Sequence, residues 1–342
     1  MSARSRDLIS ATLISAGIIG AGEVHMAAGG ESTSAFQTYW KDWFDNDRFH
    51  NSTNDVFTGY TALTAGQNDV LLVGPGVHNL TSGTLAWNKA ETHLVGAGVA
   101  RGPGQGPTAA LKLAGDFTPM ISTLSTGTNI FANLLIDHGK AASASTANLV
   151  CFQVSSGSTG GVVLRDCWIK SPNDASIAAA EAFRCIVLQG GMLLIERCMV
   201  GGRSNEWTAP SGAHPAFIDI DKKGLGLTIV DSQFLVSSTV NTHRFMIFKY
   251  SPWGGSYFNI KNTQFINASS GDWEYAIQTS GGADEIGNGN INVVCDANTF
   301  FVGVTDISVA ANEGLIIFAP AALPSTGTGL LLTGIGQTFD HS

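Results

Sequence analysis

One short pattern recurs along the chain from about residue 130 to residue 301. It reads Val163-Leu164-Arg165-Asp166-Cys167-Trp168-Ile169, then Leu194-Ile195-Glu196-Arg197-Cys198-Met199-Val200. It returns as Ile229-Val230-Asp231-Ser232-Gln233-Phe234-Leu235 and Ile260-Lys261-Asn262-Thr263-Gln264-Phe265-Ile266. An earlier copy ends in Asn133-Leu134-Leu135-Ile136, and a degenerate one starts at Cys295. Aligned on bulky residues at 135, 168, 199, 234, 265 and 300, the gaps are 33, 31, 35, 31 and 35 residues. Self-similarity at this period marks stacked units, each unable to bury its own apolar face alone.

A second set of apolar runs lies between these copies: Leu149–Val154, Phe183–Leu188, 217–220, 245–248, 275–277 and 315–318. Two or more short strands per period, with no helical stretch between them, predict β-coils. The expected fold is therefore all-β: a right-handed single-stranded parallel β-helix with coils of about 31–35 residues. A period above 30 asks for a long loop at one corner, and 173–181 and 201–215 have that composition. Composition agrees. Charged residues are 13 %, about half the usual share, and Gly is 41 of 342. Such a balance suits tight turns rather than helical surfaces.

Equivalent positions of neighbouring coils sit about 4.8 Å apart. Cys167 and Cys198 are expected to stack, as are Cys151 and Cys185, as small apolar residues inside the coil. Five cysteines are an odd number and show no CxxC or Cys/His zinc spacing. Neither a full disulfide framework nor a metal site is expected, and no cofactor fingerprint is present.

Residues 1–50 differ in texture from 51–342, which sets an N-terminal anchor or neck segment against a β-helix domain. Arg4 and Arg6 precede a mostly apolar run at 8–21, which has the outline of a signal-peptide core. Its Ser, Thr and Gly interruptions favour a retained, partly helical segment instead. It is too short and too polar for a membrane span. Phe36, Tyr39, Trp40, Trp43 and Phe44 fit one helical face. That face either caps the β domain or docks on a larger assembly.

The net charge of −9 disfavours nucleic acid as a partner, because phosphate binding needs clustered Lys and Arg. Two sets of carboxylates are candidates for catalysis. Asp219 and Asp221 alternate along a strand and suit acid/base work on a glycosidic bond or a Ca²⁺ site. Glu196 and Asp231 take the same slot of the motif in consecutive copies, which would bring two like charges together. Solvated surface acids, relieved by Arg165 and Arg197, are the plainer reading. Trp207, Trp253 and Trp273 stand beside Gly, Pro or acidic residues and suit sugar stacking or an interface between chains.

The stretch 68–98, with Val70-Leu71-Leu72-Val73-Gly74-Pro75-Gly76 and Leu94-Val95-Gly96-Ala97-Gly98, resembles the opening rungs of pectate-lyase-like β-helices. The chain lacks the Asp-rich Ca²⁺ site with a basic Arg, and the paired Asp motifs with Gly-His-Gly, that pectate lyases and polygalacturonases carry. Over about 56–320 it also resembles bacteriophage virion proteins built on a parallel β-helix. That resemblance implies a non-enzymatic capsid decoration or spike protein: a homotrimer, docked to other virion proteins through residues 1–50 and exposed on the virion surface. It also implies contact with cell-surface glycan. The alternatives are a polysaccharide-degrading tailspike or secreted hydrolase or lyase, and a carbohydrate-binding adhesin.

Overall fold

The computed structural model describes residues 13, 16–18, 22–27, 49–51, 55–97, 109–114, 118–124, 126–138, 149–170, 183–201, 216–221, 226–236, 244–248, 257–267, 275–279, 290–296, 298–302, 307–308, 314–318 and 337–340. Structural statements below concern these residues.

One coil shows how the sequence makes the fold. In Gly161–Arg165, Val162 and Leu164 point inward while Gly161, Val163 and Arg165 stay partly exposed. This is the period-2 alternation of a strand with one dry face. The same burial pattern recurs in Met192–Glu196 and in Gly226–Val230. After each of these strands the chain bends at a residue with positive φ: Asp166 (51°), Arg197 (51°) and Asp231 (52°), with Asn133 (56°) and Asn262 (45°) in the neighbouring coils. Asn and Asp tolerate this conformation better than most side chains. The bend leaves no corner amide unsatisfied: those of Asn133, Asp166, Arg197 and Asp231 donate to a carbonyl of the next coil, and that of Asn262 donates to Asp296 Oδ1 at 2.9 Å. Asp166 N–H reaches Glu196 O at 3.0 Å, Arg197 N–H reaches Val230 O at 3.0 Å, and Asp231 N–H reaches Lys261 O at 3.1 Å.

The recurring motif is thus strand, corner, strand. Gly161–Arg165 leads through the bend to Trp168–Lys170, and Phe183–Leu188 completes the coil before Met192–Glu196 begins the next. Stacked coils build three sheets, of twelve, eight and eight strands among the described residues. All pairings are parallel except the last, where Gly314–Phe318 runs antiparallel to Gln337–Asp340. The fold is an all-β parallel β-helix with very little helix. The apolar run at 315–318 belongs to the first sheet; the third-sheet strand of that region is Ile307–Ser308.

The core is a set of ladders. Leu71, Leu94, Phe131, Leu164, Ile195, Ile229, Ile260 and Cys295 stand in one register and are all buried. In the second sheet the true register is one residue from the expected one in the later coils. Trp168 and Met199 align with Gln233 and Gln264, while buried Phe234 and Phe265 align with Val200. The bulky residues therefore alternate between faces, and coil lengths read 33, 31, 34 and 31 residues from Leu135 to Gln264. Phe234 and Phe265 do stack, with centroids 4.8 Å apart.

All five cysteines are buried and free. Cys151 aligns with Cys185, since their neighbours Val150 and Arg184, and Phe152 and Ile186, are register partners. Cys167 and Cys198 each follow a corner residue, in the position taken by Ser232 and Thr263 in later coils. The chemistry matches. Cys167 Sγ donates to Arg165 O at 3.3 Å and Cys198 Sγ to Glu196 O at 3.4 Å. Ser232 Oγ donates to Val230 O and Thr263 Oγ1 to Lys261 O, both at 2.8 Å. The position calls for a small side chain with one donor for the carbonyl two residues back, and thiol or hydroxyl serves. Burial pushes the thiols of Cys151, Cys185 and Cys198 well above their ordinary value, and that of Cys295 up to about 12. Such thiols are poor nucleophiles.

The N-terminal end of the coil is closed by the helix Val56–Ala62, whose Val56, with Leu63 just after it, joins the core. Asp55 caps its start by accepting from Phe57 N–H and Thr58 N–H, each at 3.2 Å. Lys89 caps its end, donating to the carbonyls of Tyr60, Thr61 and Leu63 at 3.0, 2.8 and 2.6 Å. Where residues 1–50 are described, they are woven into this end. Val24–Ala27 pairs with Asp69–Val73 in the first sheet, and Phe49–Asn51 pairs with Val24–Ala27. Ala16 and Ile18 bury against Val70, Leu72, Val95 and Ala132 on the outer face of that sheet.

Candidate functional site

The candidate carboxylates fall at three separate places. Glu196 ends its strand on the outer face of the first sheet. Its Oε2 accepts from Arg165 Nε and Nη2, both at 2.7 Å, and its Oε1 pairs with Arg197 Nη1. Arg165 Nη1 goes on to Ala16 O at 2.7 Å, tying the N-terminal segment to a residue 149 positions away. Gly17 makes this possible: its φ is +79°, and a Cβ there would run into the Arg165 guanidinium. Arg197 also forks onto Asp166, Nε to Oδ1 at 2.9 Å and Nη2 to Oδ2 at 2.8 Å. The Asp166 hydrogen bonds hold the Arg197 guanidinium above its ordinary value.

Asp231 does not meet Glu196. Register places Glu196 beside Arg165 and Val230, whereas Asp231 is a corner residue, exposed, accepting from Asn262 Nδ2 at 2.7 Å. The expected like-charge pair is replaced by two alternating ladders, one residue apart. Shared motif spelling hid this offset, because Glu196 precedes the corner and Asp231 forms it.

Asp219 and Asp221 lie in and just beyond Ala216–Ile220. Asp219 is fully buried and takes Arg184 Nε at 2.8 Å; the two side chains are 2 % and 8 % exposed. Asp221 is half-buried and accepts from Gln189 Nε2 at 2.7 Å, while Gln189 Oε1 accepts from Gln153 Nε2 at 2.9 Å. The aromatic candidates Phe36, Tyr39, Trp40, Trp43, Phe44, Trp207, Trp253 and Trp273 lie outside the described residues, as do most of the expected loops at 173–181 and 201–215.

No protein-family model matches the chain, and no curated protein matches it. Among solved structures it is similar to a pectin methylesterase mutant crystallised in complex with a hexasaccharide. The identity is 12 %, the TM-score is 0.48, and the match covers 93 % of this chain and 92 % of that one.

Two further features carry chemistry. On the outer face of the second sheet, half-buried Trp168 is held by its Nε1–H to Gly201 O at 2.9 Å, with Lys170 Nζ 5.6 Å from its ring centroid. Met199 and an amide ladder, Gln233 Nε2 to Gln264 Oε1 at 3.1 Å, continue the same row. At the N-terminal end, Glu23, His25 and Asp69 bring three ligand atoms within 4.8 Å of one another. The sequence offered no spacing signal for this cluster, since Asp69 arrives through parallel pairing 46 residues after Glu23. Among the described residues no helix is long and apolar enough to cross a membrane.

Proposed function

We propose that the chain is a non-catalytic β-helical scaffold on the surface of a bacteriophage virion, a capsid decoration or spike protein acting as a homotrimer. In this reading the aromatic residues Phe36, Tyr39, Trp40, Trp43 and Phe44 dock it to other virion proteins. One observation carries the non-catalytic part of the proposal: each candidate acid has its own structural partner. Glu196 is claimed by two arginines, Asp219 by Arg184, Asp221 by Gln189 and Asp231 by Asn262. Glycoside cleavage needs two carboxyl groups facing one substrate. Here the four acids are distributed over separate ladders and bonded within them.

A second reading, glycan attachment without cleavage, is favoured by Trp168. A tryptophan fixed by its N–H, with apolar and amide side chains in one row, is suited to stacking on a sugar ring.

The test is incubation of the full chain with pectin and a panel of bacterial capsular polysaccharides, measuring reducing ends and released ester groups. No turnover is expected, and turnover on any member overturns the scaffold reading. Sedimentation should give three times the 35.7 kDa chain mass. Docking is tested with Trp40→Ser and Trp43→Ser rather than truncation, because removing 1–45 would also remove the strand Val24–Ala27. Wild-type particle association by the double variant would refute the docking assignment.

A further inference from the structure

We infer that Glu23, His25 and Asp69 form a binding site for a divalent transition-metal cation of the zinc class, which clasps the N-terminal strand to the first full coil.

Parallel pairing assembles the site. Glu23 and His25 are two residues apart at the start of Val24–Ala27, and so share a side of the strand. Asp69 opens the adjacent strand, Asp69–Val73, where His25 is in register with Leu71. The backbone register also sets His50 at the position next to His25 on the other side. His25 Nε2 already lies 3.4 Å from Glu23 Oε2, and the three ligand atoms fall within 4.8 Å of one another. Ligands bound to one cation at about 2.1 Å stand roughly 3–4 Å from each other. Closing the set takes only a small side-chain movement.

The carboxylate of Asp69 is positioned in advance. Its Oδ1 accepts from Glu23 N–H at 2.8 Å and its Oδ2 from Thr64 N–H at 2.7 Å. Each oxygen keeps a second lone pair for a metal, and such outer hydrogen bonds are what orient metal ligands elsewhere. Gly22 gives it room, since a Cβ there would collide with the Asp69 carboxylate and the Gln67 carbonyl.

The donor set selects the ion. One imidazole nitrogen and two carboxylates suit zinc and its first-row neighbours, whereas Ca²⁺ takes six to eight oxygens. Charge agrees, with two carboxylates against one imidazole. Lys89 also faces Asp69, but its ammonium is bonded to the three carbonyls at the end of the helix. Asp69 and His25 are buried, while the Glu23 side chain is 44 % exposed and marks the way in from solvent.

The test uses the full chain stripped with EDTA and dialysed, then titrated with Co²⁺ by visible absorbance and with Zn²⁺ by calorimetry. One equivalent per chain is expected, with a rise in Tm on Zn²⁺ addition. Glu23→Gln, at a partly exposed position, should keep the circular dichroism spectrum and weaken binding at least about tenfold. His25→Ala should remove it. Absence of saturable one-to-one binding by the wild-type chain overturns the site, and so does wild-type affinity in Glu23→Gln.

Discussion

Acidification from pH 7 to pH 4 should destabilise the N-terminal coils by about 3 kcal/mol through His93 alone. His93 is 3 % exposed. Its Nδ1 accepts from Ile130 N–H at 3.2 Å, and its Nε2 lies 3.3 Å from Asn68 Oδ1. The ring is therefore held neutral with the proton on Nε2. A second proton would have to go to Nδ1, breaking the Ile130 bond and placing a charge in a dry site. Burial accordingly lowers its pKa to about 4 from 6.5, with Asp69 opposing in part. Between those two values the unfolded chain binds the proton and the folded chain does not. Stability is complete above pH 6.5, declines as the pH falls through that window, and this contribution is gone once the pH passes 4. Each unit of separation is worth about 1.4 kcal/mol, which gives the total. His78, buried and bonded through Nε2 to Gly74 O at 3.0 Å, has its pKa lowered by burial too and adds in the same direction. Urea unfolding at pH 7, 6, 5 and 4.5, run in parallel on His93→Gln, isolates the effect from the carboxylates. Glutamine offers an acceptor and a donor but no proton to gain. Wild type should lose more stability than the variant over this range; parallel losses would refute the argument.

Arg184→Ala should cost about 3 kcal/mol, because it leaves the buried Asp219 carboxylate without its guanidinium, whereas Arg184→Met with Asp219→Leu should restore much of the loss. Urea unfolding of the two variants checks this, and a double variant no better than Arg184→Ala would contradict it. Cys198→Ser should stay within about 1 kcal/mol of wild type, since Ser232 does the same work one coil later, while Cys198→Leu should cost roughly 1–3 kcal/mol by overpacking. A serine variant as unstable as the leucine variant would show that the thiol does more than reach the carbonyl.

The repeat was legible because a solenoid writes each coil in the same chemical terms. Apolar alternation, Asn or Asp at four of the five bends, and Cys, Ser or Thr after the later ones, are all local demands, met within seven residues. Cys167 over Cys198 and Phe234 over Phe265 follow from spelling alone. What spelling could not fix was register across coils of unequal length. Trp168, Met199 and Phe234 look equivalent as bulky residues, yet the first two face outward and the third inward. Period-2 geometry makes a one-residue error reverse the face completely.

The same sensitivity explains why Glu196 and Asp231 share a slot in the sequence and not in space. Position Glu196 lies on a strand, beside Arg165 below, and position Asp231 lies on a corner, above Arg197 and Asp166. Shift either by one and two carboxylates would face each other; as built, acids and arginines alternate along both ladders from coil 161–188 to the next. Parallel in-register stacking places like above like by default, so any charge repeated at one slot would repel its own copy about 4.8 Å away. A solenoid of this kind must vary charge at each outward slot while repeating its inward residues. The outward variation that suggested chemistry is therefore what stacking itself demands, and a ligand site is better sought where the stacking ends. Glu23, His25 and Asp69 sit near such an end, where Val24–Ala27 and then Phe49–Asn51 finish the first sheet and no full coil follows.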